Sequence, residues 1–300
     1  MNTPGFTVQP IGYEDGLPAL RQVRETVFVQ EQGVPLALEW DELDPLCHHV
    51  IARDDGGHPI GTGRLTPRHT IGRMAVLADW RGRGVGDALL RALVAQARGL
   101  GWRELSLHAQ VAAIGFYARH GFLPFGERFM EAGIAHQSMR LLVDAPNPVD
   151  SREAAIAATL GVVAGARRRL DIYSRELDPG LLDVPEVVAA LRRLAVAGAD
   201  IRILLQDPAE PRRALAPLIN LGQRLSSAFA FRAIEEPADR AYPSAYLGND
   251  AGGFYFRPLG HRFDGETRLD APARTRQLRY AFDPVWERAR PCTEFRALQI

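Results

Sequence analysis

The stretch DWRGRGVGDALL, residues 79–90, places three glycines directly before an apolar helical pattern. Gly82, Gly84 and Gly86 can adopt backbone angles that are closed to other residues. The apolar residues from Leu89 onward recur at helical spacing. A helix that begins here exposes unpaired N–H groups and the positive end of its dipole, which suit a phosphate. The stretch therefore predicts strand, turn and helix, with either an anion site or a simple tight turn at the glycines.

Length and one proline-rich break predict two domains. At 300 residues the chain is longer than most chains that fold around a single hydrophobic core. Its 46% of apolar residues is enough to form two such cores. The stretch DAPNPVDSR, residues 144–152, has two prolines within three residues and is predicted to be an extended linker. We therefore expect domains at 1–145 and 146–300.

Both halves alternate predicted strands and helices, which indicates a mixed α/β fold for each. In the first half we predict helices over 17–33, 86–100 and AAIGFYARHG. The predicted strands there are FTVQPI, a hairpin of CHHVIARDD and IGTGRLTP, then TIGRMAVLA, ELSLHAQ, FLPFGERFM and HQSMRLLV. In the second half, PSAYLGND and GGFYFRPL predict a hairpin, and RTRQLRYAFDPVWERA a closing helix interrupted near Pro284.

Charge and composition exclude several classes of partner. The net charge is zero overall, −2 for 1–145 and +2 for 146–300, so neither half has the basic footprint of a nucleic-acid-binding protein. No apolar run approaches the roughly 20 residues of a membrane span. Cys47 and Cys292 stand far apart, and no cluster has metal-ligand spacing. We expect a cytoplasmic, reduced protein with no metal, membrane or nucleic-acid partner.

The spacing at the glycine turn, Arg81-x-x-Gly84-x-Gly86, distinguishes it from other phosphate-binding turns. A dinucleotide-binding turn follows the first strand as G-x-G-x-x-G, and a P-loop needs a lysine, which this chain lacks entirely. After a strand reading GRMAVLADW, the spacing resembles the acyl-CoA-binding motif of the GNAT N-acyltransferase superfamily. GFYARHGF, residues 115–122, is similar to the helix-to-strand signature of that superfamily.

Three further stretches are similar to the ElaA-like branch of bacterial acetyltransferases. They are VFVQEQGVPLALEWDELDPLCHHV, GTGRLTP and FMEAGIAHQSM, and the resemblance covers about residues 5–143. It implies a GNAT-type mixed sheet flanked by helices, with acetyl-CoA as co-substrate and an amine as acceptor.

The resemblance also implies roles for individual residues. The main chain of Met74, Ala75 and Val76 would pair with the pantetheine arm, and the Val76 amide would donate to the thioester oxygen. Tyr117 would protonate the leaving thiolate; otherwise it is a core aromatic. Backbone N–H groups of the turn would hold the pyrophosphate, with the side chains of the two arginines adding charge at its rim; the turn comprises Arg81, Gly82, Arg83, Gly84, Val85 and Gly86.

The general base stays open at this stage. Glu39 and Asp41 lie in EWDELD, a charge run that is otherwise a solvated loop. His49 is either a direct base or a hydrogen-bonding support, and a water chain is a further alternative. We expect His108 to be a strand residue whose hydrogen bonds are made locally. We expect His136 to pack beside the path by which the thiolate leaves.

The second half resembles one half of a phospholipase D-like fold without its catalytic motif. That family has the signature H-x-K-x-x-x-x-D. With its acid aligned to Asp250, Pro243 and Ala245 occupy the histidine and lysine positions, so phosphodiester cleavage is not expected. The three arginines 167–169 mark either a helix end or an anion patch.

These observations predict an N-acyltransferase that moves an acetyl group from acetyl-CoA to a small-molecule amine or peptide acceptor. The alternative is a non-catalytic acyl-CoA sensor whose C-terminal domain dimerises or binds a ligand. A homodimer through 146–300 is compatible with either function.

Overall fold

The computed structural model of the protein describes residues 5–208 and 216–295. Residue contacts divide the chain into two compact units. The first ends at Val111 and resumes over Gly126–Ala145, and the second comprises Ala112–Phe125 together with the chain from Pro146 onward. The sequence did not indicate that 112–125 groups with the second unit. The domain limits 1–145 and 146–300 stay a prediction.

The elements up to residue 142 alternate strands and helices, and α1 continues into a π-helical turn, Glu25–Glu31. In chain order they are β1 (Phe6–Ile11), α1 (Tyr13–Arg24), α2 (Leu36–Glu39), β2 (His48–Asp54), β3 (Pro59–Leu65), β4 (Thr70–Val76), α3 (Val85–Gly99), β5 (Glu104–Gln110), α4 (Ile114–Ala118), β6 (Leu123–Pro124), β7 (Phe129–Glu131) and β8 (Ile134–Leu142).

The strands of the first unit form one sheet in the order β1-β2-β3-β4-β5-β8, with β7 paired to β8. The β4–β5 pair is parallel, and the other pairs are antiparallel. The predicted β2–β3 hairpin and the strand, turn and helix over 70–99 are confirmed. The single strand predicted at FLPFGERFM is wrong: this stretch forms β6 and β7, with Gly126 at a φ of 66° between them.

Two glycines of β3 allow α3 to pack closely on the sheet. A Cβ atom at Gly63 would lie 2.8 Å from the Met74 sulfur and 2.9 Å from a methyl group of Leu93. A Cβ atom at Gly61 would lie 3.0 Å from a methyl group of Leu89. Glycine at both positions therefore fixes the depth of α3, and with it the position of the turn before this helix.

The second unit also contains the elements from residue 147 onward. They are β9 (Asn147–Val149), α5 (Arg152–Gly165), β10 (Arg169–Ser174), α6 (Pro185–Val196), β11 (Asp200–Leu205), α7 (Ala216–Arg224), β12 (Phe229–Ala233), α8 (Pro237–Arg240), β13 (Ala245–Asn249), β14 (Phe254–Arg257), β15 (Gly265–Arg268), α9 (Pro272–Arg288) and β16 (Arg290–Pro291).

These strands form a second sheet, in the order β16-β12-β11-β10-β13-β14-β15-β9. The central strands β10, β11 and β12 are parallel to one another, and the predicted β13–β14 hairpin is present. Side chains alternate between two cores: Ile172 and Ile203 belong to one, and Tyr173 and Leu204 to the other. This unit is therefore an α/β layer structure with apolar packing on both faces of its sheet.

Two expectations for the second half are wrong. The predicted linker contains β9, whose buried Asn147 and Val149 pair with β15. The predicted break near Pro284 is absent, and α9 runs through it to Arg288. A proline removes only one helical N–H donor, and the buried Phe282 and Val285 on either side of it hold the helix against the core.

The arginines 167–169 follow α5 and lead into β10. The backbone N–H groups of Arg167 and Arg168 donate to the carboxylate of Asp250, at 2.9 and 3.1 Å. The Arg169 guanidinium pairs with Asp171 at 2.9 Å. The Asp250 carboxylate therefore holds the start of β10.

Candidate active site

The parallel strands β4 and β5 separate after a short paired stretch. Thr70 pairs with Ser106 and Ile71 with Leu107, and the pairing described for these strands ends there, although β4 continues to Val76. Residues 72–76 and 108–110 therefore line an opening, called here the β4–β5 cleft. Its closed end lies where the pairing stops, and its open end leads to the glycine turn.

The ladder between β3 and β4 shows which backbone groups face this cleft. The Leu77 N–H donates to the Ile60 carbonyl at 2.9 Å, and Val76 is the register partner of Gly61. Val76 is therefore in a non-hydrogen-bonded pair, and its own N–H and carbonyl point away from β3. Because these directions alternate along a strand, the N–H of Met74 faces the cleft as well.

A β-bulge at the closed end of the cleft separates the two parts of β4. The register with β3 shifts between Thr62 and Arg64, and Arg73 has a φ of 50°, which is uncommon outside glycine. Beyond the bulge, Ala75 pairs with Thr62 and buries its side chain against the apolar core beneath α1.

The glycine turn has the conformation that its sequence predicts. Gly82 and Gly84 have φ values of 72° and 85°, and a Cβ atom at either would meet nothing within 4 Å, so glycine is favoured there by backbone angle and not by crowding. Gly84 caps α3, and its carbonyl accepts the first helical bond, from Ala88 at 3.0 Å. The N–H groups of Val85 and Gly86 precede that bond and have no helical acceptor.

The two arginine side chains of the turn already have partners. Arg81 forms a two-pronged ion pair with Glu31 at 2.6 and 2.7 Å, and its Nε donates to the Val76 carbonyl at 3.0 Å. The hydrogen bond from Arg81 lowers the pKa of Glu31. Arg83 lies over the Trp80 ring, 5.0 Å from its centroid. The predicted rim charge stays a prediction for both arginines.

The charge run EWDELD is solvated only in part, because Glu39 and Asp44 are buried against Arg24 of α1 whereas Asp41 and Glu42 are exposed. Arg24 donates to Glu39 at 2.5 Å and to Asp44 at 2.7 Å, and it stacks on Trp40 at 3.8 Å. Burial raises the pKa of Glu39, against the opposing charges of Arg24 and Arg73. Burial would also raise the pKa of Asp44, but its hydrogen bonds and the Arg24 charge lower it to about 2.

Two arginines of the sheet, Arg64 and Arg73, contact the same acidic residues. Together with Arg24, Glu39, Asp41 and Asp44 they form what is called here the buried arginine network. Arg64 donates to Asp41 at 2.6 Å and to Asp44 at 2.7 Å. Arg73, at the bulge, lies 3.3 Å from Glu39 and donates to the Glu39 carbonyl at 3.1 Å. The hydrogen bond from Arg64 lowers the pKa of Asp41. The network therefore joins three arginines to three carboxylates beside the closed end of the cleft.

His49 joins the same network from β2. It is buried, its Nε2 lies 2.8 Å from the Asp44 carbonyl, and its ring packs on Tyr13 at 5.6 Å. Burial lowers the pKa of His49 and so favours the neutral ring. The structure thus brings three of the predicted site residues, Glu39, Asp41 and His49, to one place and gives each of them a partner.

The three arginines of this network, Arg24, Arg64 and Arg73, were not predicted from the sequence, and Arg24 is the one that could have been. A signal was available, because Arg24 lies four residues after Leu20 and three before Val27, on the buried stripe of α1. An arginine on such a stripe indicates a buried acidic partner.

Tyr117 lies on α4, in the segment that groups with the second unit. Its ring packs edge-on against Phe116 at 4.9 Å and Phe122 at 6.1 Å. Burial raises the pKa of Tyr117 to about 12, so its hydroxyl keeps its proton at neutral pH. Its predicted role as an acid stays a prediction.

Comparison with known proteins places the first half in a family. The family described as "Acetyltransferase (GNAT) domain" matches residues 17–143. "Uncharacterized N-acetyltransferase YjcF" of Bacillus subtilis is 38% identical over 130 residues, which span 42% of this chain and 92% of that relative. This chain belongs to the GNAT acetyltransferase family. A GNAT domain implies an acyl-CoA co-substrate and an acceptor.

Two solved structures each match a little under half of this chain. "Acyl-CoA N-acyltransferase from Pseudomonas aeruginosa" is 34% identical, covers 45% of this chain and 98% of its own, and has a TM-score of 0.41. Escherichia coli ElaA is 26% identical, with the same coverage and TM-score.

The second half matches "Domain of unknown function (DUF7931)" over residues 150–298. Its phospholipase D-like resemblance is not shown by any of these comparisons. Across residues 5–208 and 216–295, no helix is long and apolar enough to cross a membrane. The same described residues contain no group of three histidine, cysteine or acidic side chains that could hold a metal ion.

Proposed function

We propose that this GNAT protein transfers an acetyl group from acetyl-CoA to a primary amine, by direct attack of the amine in a ternary complex. The observation that carries the proposal is the unpaired edge of β4 leading into the glycine turn. Backbone donors along an open strand suit an extended amide-containing arm, and the N–H groups at the start of α3 suit a pyrophosphate. On the three stretches similar to that branch, we place the first half among the ElaA-like acetyltransferases.

The order of groups along the cleft suggests how the arm lies. An arm held at the turn by its pyrophosphate reaches Val76 first and Met74 next, nearer the closed end. Both N–H groups face the cleft, so the thioester, at the far end of the arm, is nearer to Met74. This order favours Met74 as the donor to the thioester oxygen and leaves Val76, the donor expected from the sequence, to an amide of the arm. Either N–H would stabilise the negative charge that develops on that oxygen.

The buried arginine network supports the cleft rather than supplying a free base. Both oxygens of Glu39 face an arginine, at 2.5 Å for Arg24 and 3.3 Å for Arg73. Asp41 is held by Arg64, and the Nε2 of His49 is occupied by a backbone carbonyl. We therefore assign these predicted base residues to holding the loop 39–44 beside the bulge.

Replacing Tyr117 by phenylalanine tests turnover against mere binding. If Tyr117 donates a proton to the leaving thiolate, Y117F should lose on the order of 10²-fold in the rate of thiol release from acetyl-CoA and keep its acetyl-CoA affinity. Thiol release is followed with a thiol reagent, and affinity by calorimetry. Phe116→Leu on the same helix serves as the packing control.

Two other results would contradict these proposals, the first for the acid role of Tyr117 and the second for acetyl transfer itself. Equal loss of rate in both variants would make Tyr117 a packing residue. A wild-type protein that binds acetyl-CoA but releases no thiol with any amine would be the acyl-CoA sensor.

We propose that the second half, residues 146–300, is non-catalytic and serves to position the acceptor or to form a homodimer. The residues at the two signature positions before Asp250 are Pro243 and Ala245, which lack the groups for phosphodiester cleavage. The phospholipase D-like resemblance itself stays a prediction.

A further inference from the structure

Beside the cleft, three neighbouring strands bring together a cluster that the proposed function has not used. His108 lies on β5, Phe129 and Glu131 on β7, and His136 on β8. His136 is the register partner of Phe129, and the strand carrying it pairs directly with β5. The four side chains are called the imidazole cluster here.

Within this cluster His108 and Glu131 form a pair that is open to solvent. The His108 Nδ1 lies 3.2 Å from a carboxylate oxygen of Glu131, and both side chains are about half exposed, at 52% and 51%. Phe129 packs edge-on against the His108 ring, with centroids 4.9 Å apart. When Nδ1 carries the ring proton it donates to Glu131, and the lone pair is then on Nε2 of a ring that is half exposed.

The position of His108 along β5 places it beside the closed end of the cleft. The last pair of the parallel ladder joins Ile71 to Leu107, so His108 is the first residue of β5 beyond it. The corresponding residues of β4 are Gly72 and the bulge at Arg73, directly before Met74. His108 thus lies beside the end of the cleft where the proposed function places the thioester.

The other candidate bases are engaged elsewhere. Glu39, Asp41 and His49 belong to the buried arginine network. The Nδ1 of His136 lies 2.9 Å from the carbonyl of Ile134 in its own hairpin, and β8 is one strand farther from β4 than β5 is. His108 therefore combines a half-exposed ring, an acidic partner and a position on the strand next to β4.

We propose that His108 is the general base for the acceptor amine and that Glu131 is its positioning residue; this rests on the proposed acetyl transfer. His108 Nε2 takes one proton from the substrate ammonium, and the neutral nitrogen attacks the thioester carbon. The new C–N bond forms and the C–S bond breaks. The thiolate takes up a proton, and the amide nitrogen loses its second proton to solvent. His108 then returns its proton to water, so the enzyme is unchanged.

The test uses the full chain and measures both thiol release from acetyl-CoA and acetyl-CoA affinity. Water serves as the first acceptor, followed by ethylamine, spermidine and tyramine. We expect His108→Gln to lower the rate on the order of 10²-fold or more with unchanged affinity. In His108→Ala, added imidazole should restore part of the rate, which a merely structural role would not allow.

Two further variants make the test specific. His58→Gln is the matched control, because His58 also lies 3.2 Å from a carboxylate, that of Asp54, but in the β2–β3 turn; its rate should equal that of wild type. Glu131→Gln should lower the wild-type rate about tenfold and add no further loss in His108→Ala, since coupled residues are non-additive.

The outcomes separate the two proposals. A His108→Gln protein with wild-type rates overturns the base assignment, as does imidazole without effect on His108→Ala. A wild-type protein that binds acetyl-CoA but releases no thiol above background also overturns it, while leaving the acyl-CoA site in place. Failure of the wild type to bind acetyl-CoA overturns the proposed function itself.

Discussion

Replacing Gly84 by alanine is expected to weaken acetyl-CoA binding about tenfold, because a left-handed alanine costs about 1–2 kcal/mol and each 1.4 kcal/mol is a factor of ten. The strain shifts the turn away from the conformation that presents the N–H groups of Val85 and Gly86. Gly101→Ala is the matched control. Its glycine has a φ of 74° and, like Gly84, nothing within 4 Å of an added Cβ, but it follows the other end of α3. It should lose comparable stability and no affinity.

Gly86→Ala should weaken acetyl-CoA binding without lowering the stability of the protein, whereas Gly84→Ala lowers both. Gly86 lies inside the first turn of α3, where alanine favours the helix by up to about 1 kcal/mol. The added methyl group nevertheless blocks close approach of a pyrophosphate to the backbone. We expect a protein that is at least as stable as wild type and binds acetyl-CoA more weakly. Wild-type affinity in both G84A and G86A would show that the turn does not hold the co-substrate.

Removing the charge of Arg24 is expected to cost the first unit about 3–5 kcal/mol of unfolding free energy. Arg24→Met keeps an unbranched apolar stem but removes the guanidinium, which leaves Glu39 and Asp44 without their main cationic partner. These carboxylates are almost fully buried, so the unpaired charges cannot be solvated. Urea unfolding of the full chain, followed by tryptophan fluorescence, measures the loss.

Arg21→Met is the control on the same helix. Arg21 is 58% exposed and lies 3.9 Å from Glu25, so its removal should cost less than about 0.5 kcal/mol. If R24M were no less stable than R21M, the network would not hold the loop 39–44, and the structural role given to Glu39 would be wrong.

The sequence predicted the local parts of this site. The glycine turn and α3 follow from the spacing of Gly82 and Gly84 and the apolar stripe after them. A strand, a turn and a helix that follow one another need no distant partner to be recognised, and the structure confirms all three.

The sequence did not predict what depends on distant contacts. The acidic partners of Arg24, Glu39 and Asp44, lie 15 and 20 residues further along the chain. Without knowledge of that contact, the charge run EWDELD predicts a solvated loop. The place where β4 separates from β5 depends on the pairing of Thr70 with Ser106, which are 36 residues apart. No local sequence pattern shows where that pairing stops. His108 was read as an ordinary strand residue because Glu131 comes 23 residues later.

The most direct test of the acyl-CoA site is amide hydrogen exchange with and without acetyl-CoA, resolved to single residues. We expect slower exchange at the N–H groups of Met74 and Val76, which face the cleft, and at those of Val85 and Gly86 in the turn. Ala75, whose bonds go to β3, should change little. Saturating acetyl-CoA that leaves Met74 and Val76 unprotected, while slowing exchange elsewhere, would contradict the β4–β5 cleft as its binding site.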